Sequence, residues 1–246
     1  MNDTRISHGS AGLAIEHAPV SVAMDSIVMD SIAMDSIRLE GDLSVPTAPK
    51  GAVLFAHGSG SSRHSPRNRY VADVLNEGGL ATLLIDLLTA DEQEVDLQTA
   101  HLRFDIPFLA RRLTTTTEWL SRRPEVRHLK LGHFGASTGA AAALVAAAEV
   151  PRLVSAVVSR GGRPDLAGAA LARVDAPTLL IVGAADPVVL DLNRKALALL
   201  RCEKQLQIIP GAGHLFEQSG ALQKVSVLAR DWFLSKLANP AAAPSR

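Results

Sequence analysis

Short apolar runs alternate with longer amphipathic stretches along most of this chain. The runs Ala52 to Ala56, Leu80 to Ile85, Leu129 to Phe134, Val154 to Ser159, Thr178 to Val182 and Gln205 to Ile209 have the length of strands and are too short for helices. Apolar runs of this kind are buried on both faces, so the strands belong to a mostly parallel sheet, and the stretches between them are the crossover helices. Ile37 to Val45 adds a further strand before them. The pattern predicts an α/β domain with a mostly parallel central sheet and helices on both faces.

The first crossover helix carries its own boundaries. Ser65 stands at the N-cap, Pro66 in the first turn and Gly78-Gly79 at the end, with Tyr70, Val71, Val74 and Leu75 forming one apolar face. Further helices are expected over Pro107 to Ser121, Ser137 to Glu149, Leu190 to Leu200 and Leu222 to Leu237. The expected domain therefore runs from 37 to 238. Residues 1–36 form a lead-in or edge hairpin, and 239–246, rich in Ala and Pro, form a frayed tail. The lead-in contains a repeat, Met24-Asp-Ser-Ile27, Met29-Asp-Ser-Ile32 and Met34-Asp-Ser-Ile37, whose period of five fits neither strand nor helix.

Chemistry gathers at the strand ends. Gly135-Ala-Ser137-Thr-Gly139 follows one apolar run and precedes the alanine-rich helix pattern, which sets Ser137 on a tight strand-to-helix turn. A serine alcohol reacts only with a base beside it, and that base needs an acid to orient it. Asp186 follows the run ending at Val182, within Gly183-Ala-Ala-Asp186-Pro187, and is the first candidate for the acid; Asp165 also follows a strand. His214 lies in Gly211-Ala-Gly-His214, where two glycines give the loop freedom to bring an imidazole toward the serine. A second Gly-rich turn, His57-Gly58-Ser59-Gly60, follows Ala52 to Ala56. A dinucleotide fingerprint starting at Gly58 needs glycine where Arg63 stands, and no phosphate loop follows, so a nucleotide-binding reading fails.

These motifs, in the order Ser, Asp, His, resemble the α/β-hydrolase superfamily, and within it the dienelactone-hydrolase-like branch. The resemblance covers about Ile37 to Leu237. It departs at one point, because the namesake enzymes use a cysteine nucleophile where this chain has Ser137. The resemblance implies Ser137, Asp186 and His214 as a catalytic triad, with the backbone amides of Ser59 and Thr138 as an oxyanion hole. The implied reaction is hydrolysis of a carboxylic ester or lactone through an acyl-enzyme. An acyltransferase using the same intermediate, and a noncatalytic ligand-binding protein on this scaffold, are the alternatives. Only 49 positions separate Ser137 from Asp186 (186 minus 137), which leaves no room for a large cap domain.

Composition narrows the partners. The chain has 246 residues, 47% of them hydrophobic, and its 25 basic and 25 acidic side chains cancel. That balance supplies no field for nucleic acid or an anionic membrane, so a small-molecule substrate and a monomer or homodimer are expected. No signal-like or membrane-length apolar stretch is evident, which points to a cytoplasmic protein. Cys202 is the single cysteine, and the histidines, among them His101, His128 and His133, lack metal-ligand spacing; no cofactor or metal is expected. Arg63, His64, Arg67, Arg103, Arg160 and Arg163 fall near the catalytic strand ends. They either bind a carboxylate or phosphate on the substrate, with Arg63 and Arg160 the candidates, or are spent in ion pairs with acids such as Asp86, Asp105 and Asp165.

Overall fold

The computed structural model describes residues 5–8, 13–24 and 37–238. The repeats lie outside the described residues except for Met24 and Ile37, whose backbones are joined by a 2.7 Å hydrogen bond. The 239–246 tail also lies outside them.

In chain order the strands are β1 (Arg5–His8), β2 (Ala14–Ala23), β3 (Arg38–Pro46), β4 (Ala52–Ala56), β5 (Ala81–Ile85), β6 (Leu131–Ala136), β7 (Val154–Arg160), β8 (Thr178–Gly183) and β9 (Lys204–Ile209). They form one sheet in the order β1-β2-β3-β5-β4-β6-β7-β8-β9. The first three pair antiparallel, and β3 joins β5 antiparallel; from β5 through β9 every pairing is parallel. The helices are α1 (Pro66–Glu77), α2 (Ala90–Thr99), α3 (Ile106–Arg122), α4 (Thr138–Glu149), α5 (Pro187–Leu199) and α6 (Ala221–Leu237).

Alternation along the central strands builds two cores. In β4, Val53 and Phe55 join Val71, Leu75 and Phe233 of α1 and α6, while Leu54 and Ala56 join Leu109, Leu113 and the alanines of α3 and α4 on the other face. Phe55 and Phe134, side by side on β4 and β6, have ring centroids 4.7 Å apart. The buried alanines of α4 leave so little side-chain bulk that this helix seats close to the sheet.

The order of the strands fixes where a site can form. The chain leaves β4 toward one edge to make β5, then crosses back over β4 to make β6. The carboxyl ends of β4 and β6 therefore flank the point where the winding reverses, the place where doubly wound sheets leave a crevice.

Three features differ from the sequence expectations. Tyr70 is exposed, and the inner face of α1 is made instead by Asn68, Val71, Ala72, Leu75 and Asn76. Asn76 is tolerated there because its amide donates to the Leu80 carbonyl and the Thr82 hydroxyl. Helix α2 is an additional element, and β2, within the 1–36 stretch expected as a lead-in or edge hairpin, pairs with β3 from Ile15 to Ala23 and so joins the main sheet. Helix α2 is polar nearly all round and is held by other means: Thr89 and Glu92 form a capping box, and Arg112 of α3 grips Glu92 through two hydrogen bonds of 2.5 and 2.6 Å.

Candidate active site

Six parallel strands, β4 to β9, send their carboxyl ends to one rim, and the candidate residues stand on the loops that follow. Ser137, between β6 and α4, has φ 50° and ψ −122°, a conformation that L-residues rarely adopt. The neighbouring glycines permit it. A Cβ on Gly139 would lie 2.3 Å from the Ala56 carbonyl oxygen and 2.4 Å from that of His57, and one on Gly135 would lie 2.4 Å from Ala140 Cα. The G-x-S-x-G spacing is thus a packing requirement, with each glycine where another backbone passes.

The turn after β7 closes around the same serine. The Ser137 amide donates to the Arg160 carbonyl (3.3 Å), and the Arg163 amide donates to the Ser137 carbonyl (3.0 Å). On its other side this turn meets the histidine loop: a Cβ on Gly161 would lie 3.1 Å from the His214 carbonyl oxygen and 3.6 Å from its Nδ1. Asn193 of α5 holds the turn by donating to the Gly162 carbonyl at 3.0 Å. One short segment, Arg160 to Arg163, therefore touches both Ser137 and His214.

His214 Nδ1 lies 2.8 Å from Asp186 Oδ2. A carboxylate there accepts a hydrogen bond from Nδ1–H, which leaves Nε2 as the ring atom able to take a proton. The remaining oxygen of Asp186 caps α5, accepting from the Val189 amide at 3.4 Å, so the carboxylate is oriented by its own helix. Asp165 makes a two-pronged pair with Arg163 (2.9 and 2.8 Å).

The turn after β4 faces Ser137, with a Cβ on Gly58 falling 3.0 Å from the serine Cβ. Its amide at Ser59 donates to the Thr138 hydroxyl at 3.0 Å, and Thr138, as the first residue of α4, has an amide with no carbonyl one turn before it. His57 holds this turn in shape. Its Nδ1 faces the Gly58 carbonyl (2.9 Å) and its Nε2 accepts from the Leu87 amide (3.0 Å), which fixes one neutral tautomer. Burial keeps that imidazole below the ordinary histidine range.

The arginines divide. Arg63 is committed to acids: its amide and guanidinium both bond Asp86, and Asp42 lies 3.8 Å from its Nε. Its charge is neutralised where it stands, the second of the two roles the sequence left open for it. Arg103 is paired with the buried Asp96 at 2.6 Å. Arg160 differs: it is 8% exposed, one nitrogen donates to the Asn68 side chain at 3.2 Å, and the other, Nη1, is buried without a partner. Burial, and then the nearby Arg67 charge, push its pKa down to about 10. His133, inside β6, meets the Thr117 hydroxyl (2.9 Å) and the Ala143 carbonyl (3.2 Å), as a core histidine should. Among the described residues no group of three or more His, Cys, Asp or Glu side chains is placed to hold a metal ion, and no helix is long and apolar enough to cross a membrane.

Sequence reasoning did not single out Thr138 Oγ1, Asn193 or the Gly161-Gly162 turn. The last has a visible signal, a glycine pair directly after a buried strand; the other two depend on contacts between distant segments.

A mostly parallel sheet with helices on both faces, a strained serine after β6 and a His–Asp pair after β8 and β9 together define the α/β-hydrolase fold. The model of the dienelactone hydrolase family matches residues 42–232, and the chain belongs to that family. A crystal structure of a dienelactone hydrolase from Anabaena variabilis is 58% identical and superposes with a TM-score of 0.81, covering 89% of this chain and 99% of that one. Est1E from Butyrivibrio proteoclasticus, 17% identical, shares the fold with a TM-score of 0.68, covering 87% and 98% of the two chains. Two Mycobacterium tuberculosis proteins with the provisional name phosphoribosyl transferase are 58% identical over 200 residues, 81% of this chain and 44% of theirs. The chain thus spans less than half the length of those curated relatives.

Proposed function

We propose that this chain is a serine hydrolase that cleaves a carboxylic ester or lactone of a small, anionic substrate through an acyl-enzyme on Ser137. The observation that carries this reading is the oriented His214–Asp186 pair, 2.8 Å apart, on the same rim and against the same turn as a serine held at φ 50°. Ser137 Oγ attacks the carbonyl carbon while His214 Nε2 takes its proton; Asp186 balances the imidazolium. The carbonyl oxygen becomes an oxyanion between the amides of Thr138 and Ser59, displacing the Thr138 hydroxyl from the latter. Collapse expels the alkoxide, which leaves with the proton from His214. Water then repeats the sequence on the acyl-enzyme and returns the serine. Arg160, a buried cation with no acid of its own, supports an anionic group on the substrate. The transferase name of the mycobacterial relatives is not carried over, because more than half of their length lies outside the match.

A fluorophosphonate probe and hydrolysis of p-nitrophenyl esters and lactones test the reading. Wild type is expected to label at Ser137 and to turn over, while Ser137→Ala loses labelling and at least about 10⁴-fold in kcat. Equal hydrolysis by both proteins would overturn it.

A further inference from the structure

A hydroxyl that folding removes from water has to place its proton on an acceptor, and the buried threonines of this chain do so with one exception. Five are buried among the described residues: Thr82, Thr116, Thr117, Thr138 and Thr178. Thr116 and Thr117, inside α3, donate to the Arg112 and Leu113 carbonyls one turn back, at 2.8 and 2.7 Å. Thr178 donates to the Ala176 carbonyl at 2.9 Å, and Thr82 to the Asn76 side-chain oxygen at 3.4 Å. Thr138, 3% exposed, is different. Its Oγ1 accepts from the Ser59 amide at 3.0 Å, and no acceptor among the described residues takes its own proton. The fold supplies the reason: Thr138 opens α4, so Phe134, four places before it, lies in β6 and offers no helical carbonyl.

That proton lies where the proposed chemistry needs one. The start of α4 is pressed onto the turn after β4, a Cβ on Gly139 falling 2.3 and 2.4 Å from the Ala56 and His57 carbonyl oxygens, and this close approach brings Thr138 against Ser59. With Ser137 as the nucleophile, the reading proposed above on which this inference rests, a substrate oxygen bonded to the Ser59 and Thr138 amides takes the place that Oγ1 holds on Ser59. The hydroxyl then loses the bond it accepts, keeps its proton, and belongs to the same residue as one of the two amides. We infer that Thr138 is a catalytic residue whose hydroxyl turns to donate to the oxyanion, a third hydrogen bond beside the two amides. No proton is transferred; the O–H bond stays intact. A hydrogen bond to the charged tetrahedral oxygen is shorter and stronger than one to a neutral ester carbonyl. Its gain therefore comes in the transition state, and the effect falls on kcat rather than on KM.

The test uses the full chain with p-nitrophenyl acetate, and with an aryl trifluoromethyl ketone, to which Ser137 would add to leave the same oxyanion without a leaving group. Thr138→Val keeps the shape of the side chain and removes the donor; Thr138→Ser keeps the donor. The valine variant is expected to lose about 10²-fold in kcat with KM within threefold of wild type, and to bind the ketone at least tenfold more weakly. The serine variant is expected to recover at least tenfold of the lost kcat. With Ser137 still labelled by the fluorophosphonate, a valine variant whose kcat is unchanged overturns the inference. One that is faster than wild type does so as well, and makes the hydroxyl a group that merely occupies the Ser59 amide. Equal losses in the valine and serine variants, tracking a lower thermal midpoint, make Thr138 a packing residue and overturn it too. Absence of labelling and of any Ser137-dependent turnover in wild type overturns the nucleophile reading and this inference with it.

Discussion

Around Ser137 backbone packs against backbone, whereas at Gly213, next to His214, there is room for a side chain. A Cβ on Gly139 would meet two carbonyl oxygens at 2.3 and 2.4 Å, but one on Gly213 would meet nothing nearer than 3.6 Å. The serine lies between a fully buried strand and a helix of buried alanines, while the histidine side chain is 39% exposed. The two partners have different tasks. A nucleophile in a rare φ/ψ region needs surroundings that over-determine it. A base that takes a proton from one oxygen and delivers it to another needs orientation from one firm contact and freedom otherwise. Changes to the backbone packing around the serine should therefore register as lost stability, and changes to the orientation of the histidine as lost rate.

The largest test of that division is Asp186→Asn. Asparagine keeps an oxygen to cap α5 at Val189 but no longer enforces the Nδ1–H tautomer of His214. The expected outcome is a fall of about 10³ to 10⁴ in kcat with an unchanged thermal midpoint. A fall in the midpoint that matches the loss of activity would show that this side is structural as well.

Next in size is a pair of glycine substitutions read by chemical unfolding. Gly139→Ala is expected to lose at least about 3 kcal/mol, because both obstructing atoms are main-chain oxygens that cannot turn aside. Gly213→Ala, beside the histidine, is expected to stay within about 0.5 kcal/mol. Comparable losses at the two positions would erase the contrast.

The same contrast governs what could be read from sequence. The serine turn was legible because its glycines are required locally, and the central strands were legible because burial on both faces writes continuous apolar runs such as Ala52–Ala56. Helix α2 was not, since Ala90–Thr99 has no apolar stripe and its anchor, Arg112, comes from the next long helix. Its local signal was Thr89-Ala-Asp-Glu92, a capping box. Strand β2 is half exposed and carries Pro19, which masks its alternation. Nor could the sequence separate Arg63 from Arg160: the acid that neutralises Arg63 most closely, Asp86, is 23 positions away, at the end of the neighbouring strand.

His133 extends the stability side of the comparison to pH. Burial holds its pKa at about 4, against about 6.5 in an unfolded chain, so the unfolded state binds the proton first. Its contribution is complete above about pH 6.5, drains as pH falls from there to about 4, and levels off below. The full span is about 3 kcal/mol. Urea unfolding of wild type and His133→Gln between pH 7.5 and pH 4 is expected to show that excess pH dependence only in wild type, while their activities at pH 7.5 agree. Parallel pH curves would mean that the imidazole is not buried beneath the serine turn as described.

The smallest effect concerns Arg160, whose carbonyl supports Ser137 while its guanidinium lies against Asn68 of α1. A cation this buried, with Nη1 unpartnered and no carboxylate beside it, costs stability unless something else repays it. If that is a charged group on the substrate, Arg160→Met should raise KM about tenfold for a carboxylate-bearing ester and leave a neutral ester unchanged, the loss of one charge-assisted contact of about 1.5 kcal/mol. Because the residue is desolvated and uncompensated, the thermal midpoint should hold or rise. A lower midpoint with equal KM for the charged and neutral esters would make Arg160 a packing residue of α1 and move it to the stability side of the rim.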